Sequence, residues 1–95
     1  MRLKKEISEF IKTTVKTRLM GAEVYLFGSR VYNDQKGGDI DILVIGDRRL
    51  SGQEKRDIKI TFQKRFGEQR IDVVSFASTE SSNFKDLILQ EANRL

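Results

Sequence analysis

Val24-Tyr25-Leu26-Phe27-Gly28-Ser29 and Gly38-Asp39-Ile40-Asp41-Ile42-Leu43-Val44-Ile45 are the two stretches from which the rest of the chain can be read. The first is a nearly all-apolar run that ends in a glycine–serine turn, the pattern of a strand covered on both faces. The second is another apolar run, opened by two aspartates in alternation. Side chains two apart on a strand point to the same face, with Cα atoms roughly 6.5–7 Å apart. A hydrophobic core has no use for two anions side by side. A divalent cation does, and a Gly-Ser turn nearby can hold the phosphates that accompany such a cation. The two stretches read as a metal-dependent nucleotide site.

Working outward, Leu3 to Met20 reads as an amphipathic helix, with Leu3, Ile7, Phe10, Ile11, Val15 and Leu19 recurring at three- and four-residue steps. Gly21 stops it. After the first strand, Ser29 can cap a single helical turn over Arg30 to Asn33, and Asn33 to Gly38 is a polar loop. Ser51 to Phe66 reads as a helix, with Ser51 and Glu54 spaced as a capping box. Ile58, Phe62 and Phe66 line its inner face and Gly67 ends it. Arg70 to Phe76 reads as a third strand and Thr79 to Leu95 as a last helix, with Phe84, Leu87, Ile88, Ala92 and Leu95 as its apolar residues. The expectation is an α/β (α+β) fold in which a small mixed three-stranded sheet forms from an α-β-(short α)-β-α-β-α order. Residues 1–95 form one domain, with no repeat or linker. For one ligand to touch both Gly28-Ser29 and Asp39, the first two strands must be antiparallel neighbours. A right-handed crossover through a helix then allows a parallel third strand, which brings Asp72 to the edge that carries Asp39 and Asp41.

Asp39, Asp41 and Asp72 are the candidate catalytic and metal-ligating residues. Two carboxylates so spaced can bracket two cations about 3.5–4 Å apart, one lowering the pKa of an attacking hydroxyl and the other neutralising a leaving phosphate. A third carboxylate from the next strand completes the cage. Taken alone, Asp39 after two glycines is as well read as a strand-edge residue. Asp41 and Asp72 stand between apolar residues, where an unpaired anion is costly. Gly28 and Ser29 can offer backbone N–H groups and a hydroxyl to phosphate. Arg30 can meet phosphate as a charge or stand in solvent. No P-loop or Gly-x-Gly-x-x-Gly motif is present.

Composition narrows the chemistry. The chain has no histidine and no cysteine, which excludes disulfides, thiolate nucleophiles and zinc–thiolate sites. Oxygen ligands suit Mg²⁺, with Mn²⁺ as a substitute. No run reaches the roughly 18 apolar residues of a membrane span, and no secretory leader is visible, so the expected location is cytoplasmic. A formal charge of +4, from 18 basic and 14 acidic residues, suits an anionic ligand without choosing one. The basic residues of the first helix make no clean patch. Phe62, Phe66 and Phe84 read as core residues rather than as stacking platforms for bases.

Phe27-Gly28-Ser29-Arg30, Gly38 to Val44 and Ile71-Asp72-Val73-Val74 together resemble the minimal nucleotidyltransferases (MNT) of the DNA polymerase β-like nucleotidyltransferase superfamily. The resemblance covers essentially the whole chain and implies the nucleotidyltransferase fold. It implies that Gly28 and Ser29, with Arg30 beside them, bind nucleotide phosphate, and that Asp39 and Asp41 bind two Mg²⁺ ions. It implies that Asp72 completes the catalytic-metal site and helps to activate the attacking hydroxyl. Small members resemble the antitoxin half of a toxin–antitoxin pair whose other half is a HEPN-domain toxin. The implied reaction transfers AMP from ATP to a tyrosine hydroxyl of that toxin. A non-catalytic antitoxin that acts by binding, or a small-molecule nucleotidyltransferase, is the alternative. Direct binding of nucleic acid is not expected. The Ser29–Asp39 loop is one residue shorter than in many members, and Gly38 stands where serine is frequent.

Overall fold

The central strand of the sheet, Ile40–Gly46 (β2), is paired on both sides. The computed structural model that shows this describes residues 4–28, 39–67 and 69–95. Strand β1 (Glu23–Phe27) runs antiparallel to β2, with Phe27 opposite Asp41 and Glu23 opposite Ile45. Strand β3 (Ile71–Ala77) runs parallel to β2, with Ile40 opposite Ile71 and Asp41 opposite Asp72. Both pairings are those expected from the placement of the glycine and the three aspartates.

Three helices complete the fold: α1 (Lys5–Arg18), α2 (Gly52–Phe66) and α3 (Asn83–Glu91). The alternation along β2 sorts its side chains between two cores. Ile40, Ile42 and Val44 join Val24 and Leu26 of β1 and Ile71 and Val73 of β3 beneath α1 and α2. Leu43 and Ile45 face the other way and meet Phe76 and Ile88 of α3. A strand buried on both faces is the arrangement its near-continuous apolar run calls for. Full burial of such aliphatic side chains contributes about 1.5–3 kcal/mol each, so β2 and its register are held firmly.

The two helices on the first face meet through rings. Phe10 of α1 stands edge-on to Phe66 at 5.2 Å between centroids, and Phe62 lies 4.8 Å from Phe66. Phe62 and Ile58 are fully buried, as the three- and four-residue spacing of α2 requires. The capping box at its start is formed: Glu54 N–H donates to Ser51 Oγ at 3.0 Å, and Ser51 N–H donates to Glu54 Oε1 at 2.8 Å. Between α1 and β1, Ala22 N–H donates to Leu19 O across a tight turn whose third residue, Gly21, has φ +79°. That value costs glycine nothing.

The C-terminal region departs from the sequence reading. Thr79 to Leu95 is not one helix. The helix is confined to Asn83–Glu91, and Asn93–Arg94 forms a fourth strand (β4) antiparallel to β1, giving the order β3-β2-β1-β4. The helix starts late because residues 77–80 are used by a polar network. Glu80 accepts from Ala77 N–H and from both arms of the Arg49 guanidinium. Lys85 is buried, and its ammonium donates to the carbonyls of Ala77, Ser78 and Glu80. Ser82 then caps the helix by accepting from Lys85 N–H. Its last turn yields to strand pairing, and Leu95 N–H donates to Val24 O at 2.9 Å.

The inward stripe of α3 is therefore Lys85, Ile88 and Leu89, continued by Ala92 just past its end, with Lys85 drawn in by the carbonyls it satisfies. The expected stripe is rotated by one residue, and Phe84 and Leu87 are exposed, not buried as their spacing had implied. Helix α1 is also shorter than the Leu3–Met20 span. It ends before Met20, which is exposed. The single turn expected over Arg30 to Asn33 lies outside the described residues.

Glu54 and Glu80 both lie well below the ordinary carboxylate value of 4.5, at about 2, chiefly through hydrogen bonds from Arg48 and Arg49. A carboxylate depressed in the folded state contributes stability above its unfolded pKa and loses it as protons bind the native state. Thermal unfolding should accordingly show Tm falling between about pH 4.5 and pH 2, the window set by these two groups. Replacing both glutamates by glutamine should lower Tm at neutral pH and flatten that limb.

Candidate functional site

The parallel register of β2 and β3 brings two of the three candidate carboxylates face to face. Asp41 and Asp72 are direct partners across the ladder, on the sheet face that α3 shares. Helix α3 covers Leu43 and Ile45 but stops short of this end, so Asp41 is half-buried and Asp72 is exposed. Like charges directly opposite in a sheet are destabilising. Burial first, then the charges of Asp72 and Asp39, pushes the Asp41 carboxyl above its ordinary value. The core clusters that fix the register outweigh this local cost.

Asp39 precedes β2 and has the same parity as Asp41. Ile40 N–H donates to Arg70 O at 2.9 Å, which lays Asp39 beside Arg70. Arg70 Nε stands 4.0 Å from Asp39 Oδ1. On the neighbouring position Lys59 Nζ of α2 stands 3.7 Å from Asp72 Oδ1. Each outer carboxylate thus has a cation as its near neighbour, and among the described residues no three acidic side chains form a ready-made metal group. The backbone places all three aspartates at one end of the sheet, while the side chains of the outer two are engaged sideways. Lys59, Gln63, Arg70, Ile71 and Asp72 line a groove of about 170 Å³ along the β3 edge.

Gly28 closes the other side. It follows Phe27, the register partner of Asp41, and has φ +80°. A Cβ on Gly28 would collide with the Asp41 carboxylate. Glycine is therefore required twice, for its backbone angle and for the close approach of its backbone to Asp41. Ser29 and Arg30, expected beside it at the phosphate, lie outside the described residues.

As a donor set, three carboxylates without histidine or cysteine fit a hard divalent cation. The burial and the mutual repulsion that raise Asp41 are both what such a cation relieves. The sequence reading names Gly28 and the aspartates, and the structure brings them to one end of the sheet. That reading does not name Lys59 and Arg70, which the structure sets beside them. Arg70 had a legible signal: it lies two residues before Asp72, and the parallel register sets it beside Asp39. Lys59 had none, because α2 carries several exposed basic residues and only the packing shows which one reaches Asp72.

The chain matches the family model described as nucleotidyltransferase domain over residues 4–95. It superposes with a TM-score of 0.71 on a structure described as tri-AMPylated Shewanella oneidensis HEPN toxin in complex with MNT antitoxin, at 16% identity, covering 97% of this chain and 71% of that one. A toxin–antitoxin structure with AMP-PNP gives a TM-score of 0.74 at 18% identity, with 92% of this chain and 70% of that one covered. The toxin–antitoxin MntA–HepT gives 0.70 at 15% identity, with 96% and 70% covered. At these identities the likeness is one of fold. No curated protein matches the chain.

Two substitutions probe the geometry. Gly28→Ala should cost about 1–2 kcal/mol in chemical denaturation, from the left-handed backbone angle alone, and should displace the Asp41 carboxylate. Asp41→Asn removes the central charge of the repelling set. In chelator it should raise Tm by a few degrees, the opposite of what loss of a structural aspartate does.

Proposed function

The chain belongs to the nucleotidyltransferase-domain family, and from that premise we propose that it transfers AMP from ATP to a tyrosine hydroxyl of a HEPN-domain toxin, acting as that toxin's antitoxin. The observation that carries this reading is the pairing of Asp41 with Asp72 beside the backbone of Gly28. A sheet holds two opposed carboxylates at its end for a cation, and a glycine against them leaves room for a phosphate. The solved structures of like fold support the choice of reaction, since one of those complexes contains an AMPylated toxin and another contains AMP-PNP.

In this reading Asp39, Asp41 and Asp72 hold Mg²⁺. The chemistry such an ion would supply, held there by the three carboxylates, is a lowered pKa for the acceptor hydroxyl and neutralised charge on the leaving pyrophosphate. Gly28 lets the triphosphate approach the sheet end, with Ser29 and Arg30 supplying a hydroxyl and a charge to its oxygens. Asp41 is the fixed member of the set, because its neighbours in β2 are buried. Asp72 is the exposed member and faces the side from which an acceptor can enter. Its carboxylate orients the incoming hydroxyl and receives its proton as the oxygen bonds to the α-phosphorus and the bond to pyrophosphate breaks. The exposed location of Asp72 suits an acceptor carried on another protein.

A second reading, neutralisation of the toxin by binding alone, draws on the sideways engagement of Asp39 and Asp72. The two separate cleanly. Incubation with ATP, Mg²⁺ and a purified HEPN toxin from the neighbouring gene should add AMP-sized mass increments to the toxin, and Asp41→Ala should abolish them. If the toxin's mass stays unchanged, and Asp41→Ala still protects cells that express the toxin, binding is the mechanism and transfer is not.

A further inference from the structure

We propose that Lys59 and Arg70 are positioning residues that compete with the divalent cation for Asp72 and Asp39, and so set the metal affinity of the site. The inference rests on the reading of the three aspartates as metal ligands.

Both contacts are loose. Lys59 Nζ lies 3.7 Å from Asp72 Oδ1 and Arg70 Nε lies 4.0 Å from Asp39 Oδ1, beyond direct hydrogen-bond distance. Lys59, Asp72 and Asp39 are each about half open to solvent, and Arg70 is more so at 78%. The attachment points of Lys59 and Arg70 are not mobile. Lys59 lies between Ile58 and Phe62 on α2, both fully buried. Arg70 is pinned through its carbonyl to Ile40 N–H at 2.9 Å. The fold therefore holds two cations beside the outer carboxylates without locking either charged group into a direct hydrogen bond with them.

A Mg²⁺ ion binds carboxylate oxygen at about 2.0–2.1 Å. An ion on Asp72 Oδ1 then lies within roughly 6 Å of Lys59 Nζ where that ammonium now stands, inside the Debye length of about 8 Å at physiological salt. The ammonium must yield, and its charge opposes the ion until it does. The same holds for Arg70 and Asp39. Both cations already line the groove beside Asp72, where a displaced side chain would stay close to any anion that accompanies the metal.

The test is calorimetric titration of Mn²⁺ into the full chain, as wild type and as Lys59→Met, Arg70→Met, Lys59→Arg and Asp41→Asn, with melting curves to show that each is folded. Lys59→Met and Arg70→Met should each tighten Mn²⁺ binding roughly three- to tenfold at low salt, the size of one screened unit charge removed from a divalent ion's surroundings. The gain should shrink as salt rises. Lys59→Arg keeps the charge and should bind as wild type does, whereas Asp41→Asn should lose binding. Folded methionine variants that bind with unchanged or weaker affinity overturn the inference and leave the metal reading standing. Absence of Mn²⁺ binding in the wild type and in every variant overturns the metal reading, and the inference with it.

Discussion

Parallel pairing of β2 with β3 in one register sets Asp41 opposite Asp72, and most of what is distinctive in this molecule follows from that juxtaposition. The pairing cannot be relaxed by a one-residue slip. A slip would turn Ile40, Ile42 and Val44 away from α1 and α2 and send Leu43 and Ile45 into a core shaped for others. The hydrophobic sorting on two faces therefore enforces an electrostatic conflict at the strand's beginning. A protein without a use for that conflict could remove it with one asparagine.

The surrounding elements keep this end open while closing everything else. Helices α1 and α2 cover one face through the Phe10, Phe62 and Phe66 rings. On the other face α3 is short. Its start is set by the Glu80 and Lys85 network and its end by the switch into β4, so it reaches Leu43 but not Asp41. On the remaining side, β1 delivers Gly28 against the Asp41 carboxylate by antiparallel pairing. The result is a carboxylate pair bounded by backbone on one side and by a polar groove on the other.

How much of this was legible in the sequence depended on whether local pattern or distant packing decided the matter. Strands β1 and β2 are marked by apolar runs bounded by glycines, and β3 by an apolar run a few residues after Gly67. Helix α2 is marked by Ser51 and Glu54, and the topology follows from requiring Gly28 and the three aspartates to meet. The fourth strand was not legible. Asn93 and Arg94 carry no strand signal, and their pairing with β1 depends on an edge the tertiary fold leaves available. The phase of α3 was misread for a related reason. Its apolar residues suggest a stripe through Phe84 and Leu87, but a buried lysine satisfying three carbonyls rotates the helix by one position. At this end of the sheet, the carboxylates were legible as candidates because anions in apolar runs stand out. Lys59 was not, because a lysine on a basic helix is ordinary by composition, whereas Arg70 could have been placed beside Asp39 from its position two residues before Asp72 and the parallel register.

The three aspartates are unequal, and the inequality has consequences for how a ligand would assemble the site. Asp41 sits within a strand flanked by fully buried residues, so its backbone is immobile and its carboxylate has little choice of position. Asp39 and Asp72 lie at the strand's threshold and at the sheet's edge, about half exposed, each loosely matched to a cation. Exposed ion pairs of this kind hold about 1 kcal/mol or less, which a divalent ion can exceed readily. The site can then be gathered around its fixed member by side-chain rotation alone, with no movement of the sheet. A domain of this size has little stability to spare for backbone rearrangement, and an arrangement in which only exposed side chains move places the cost of assembly where the fold is least sensitive to it.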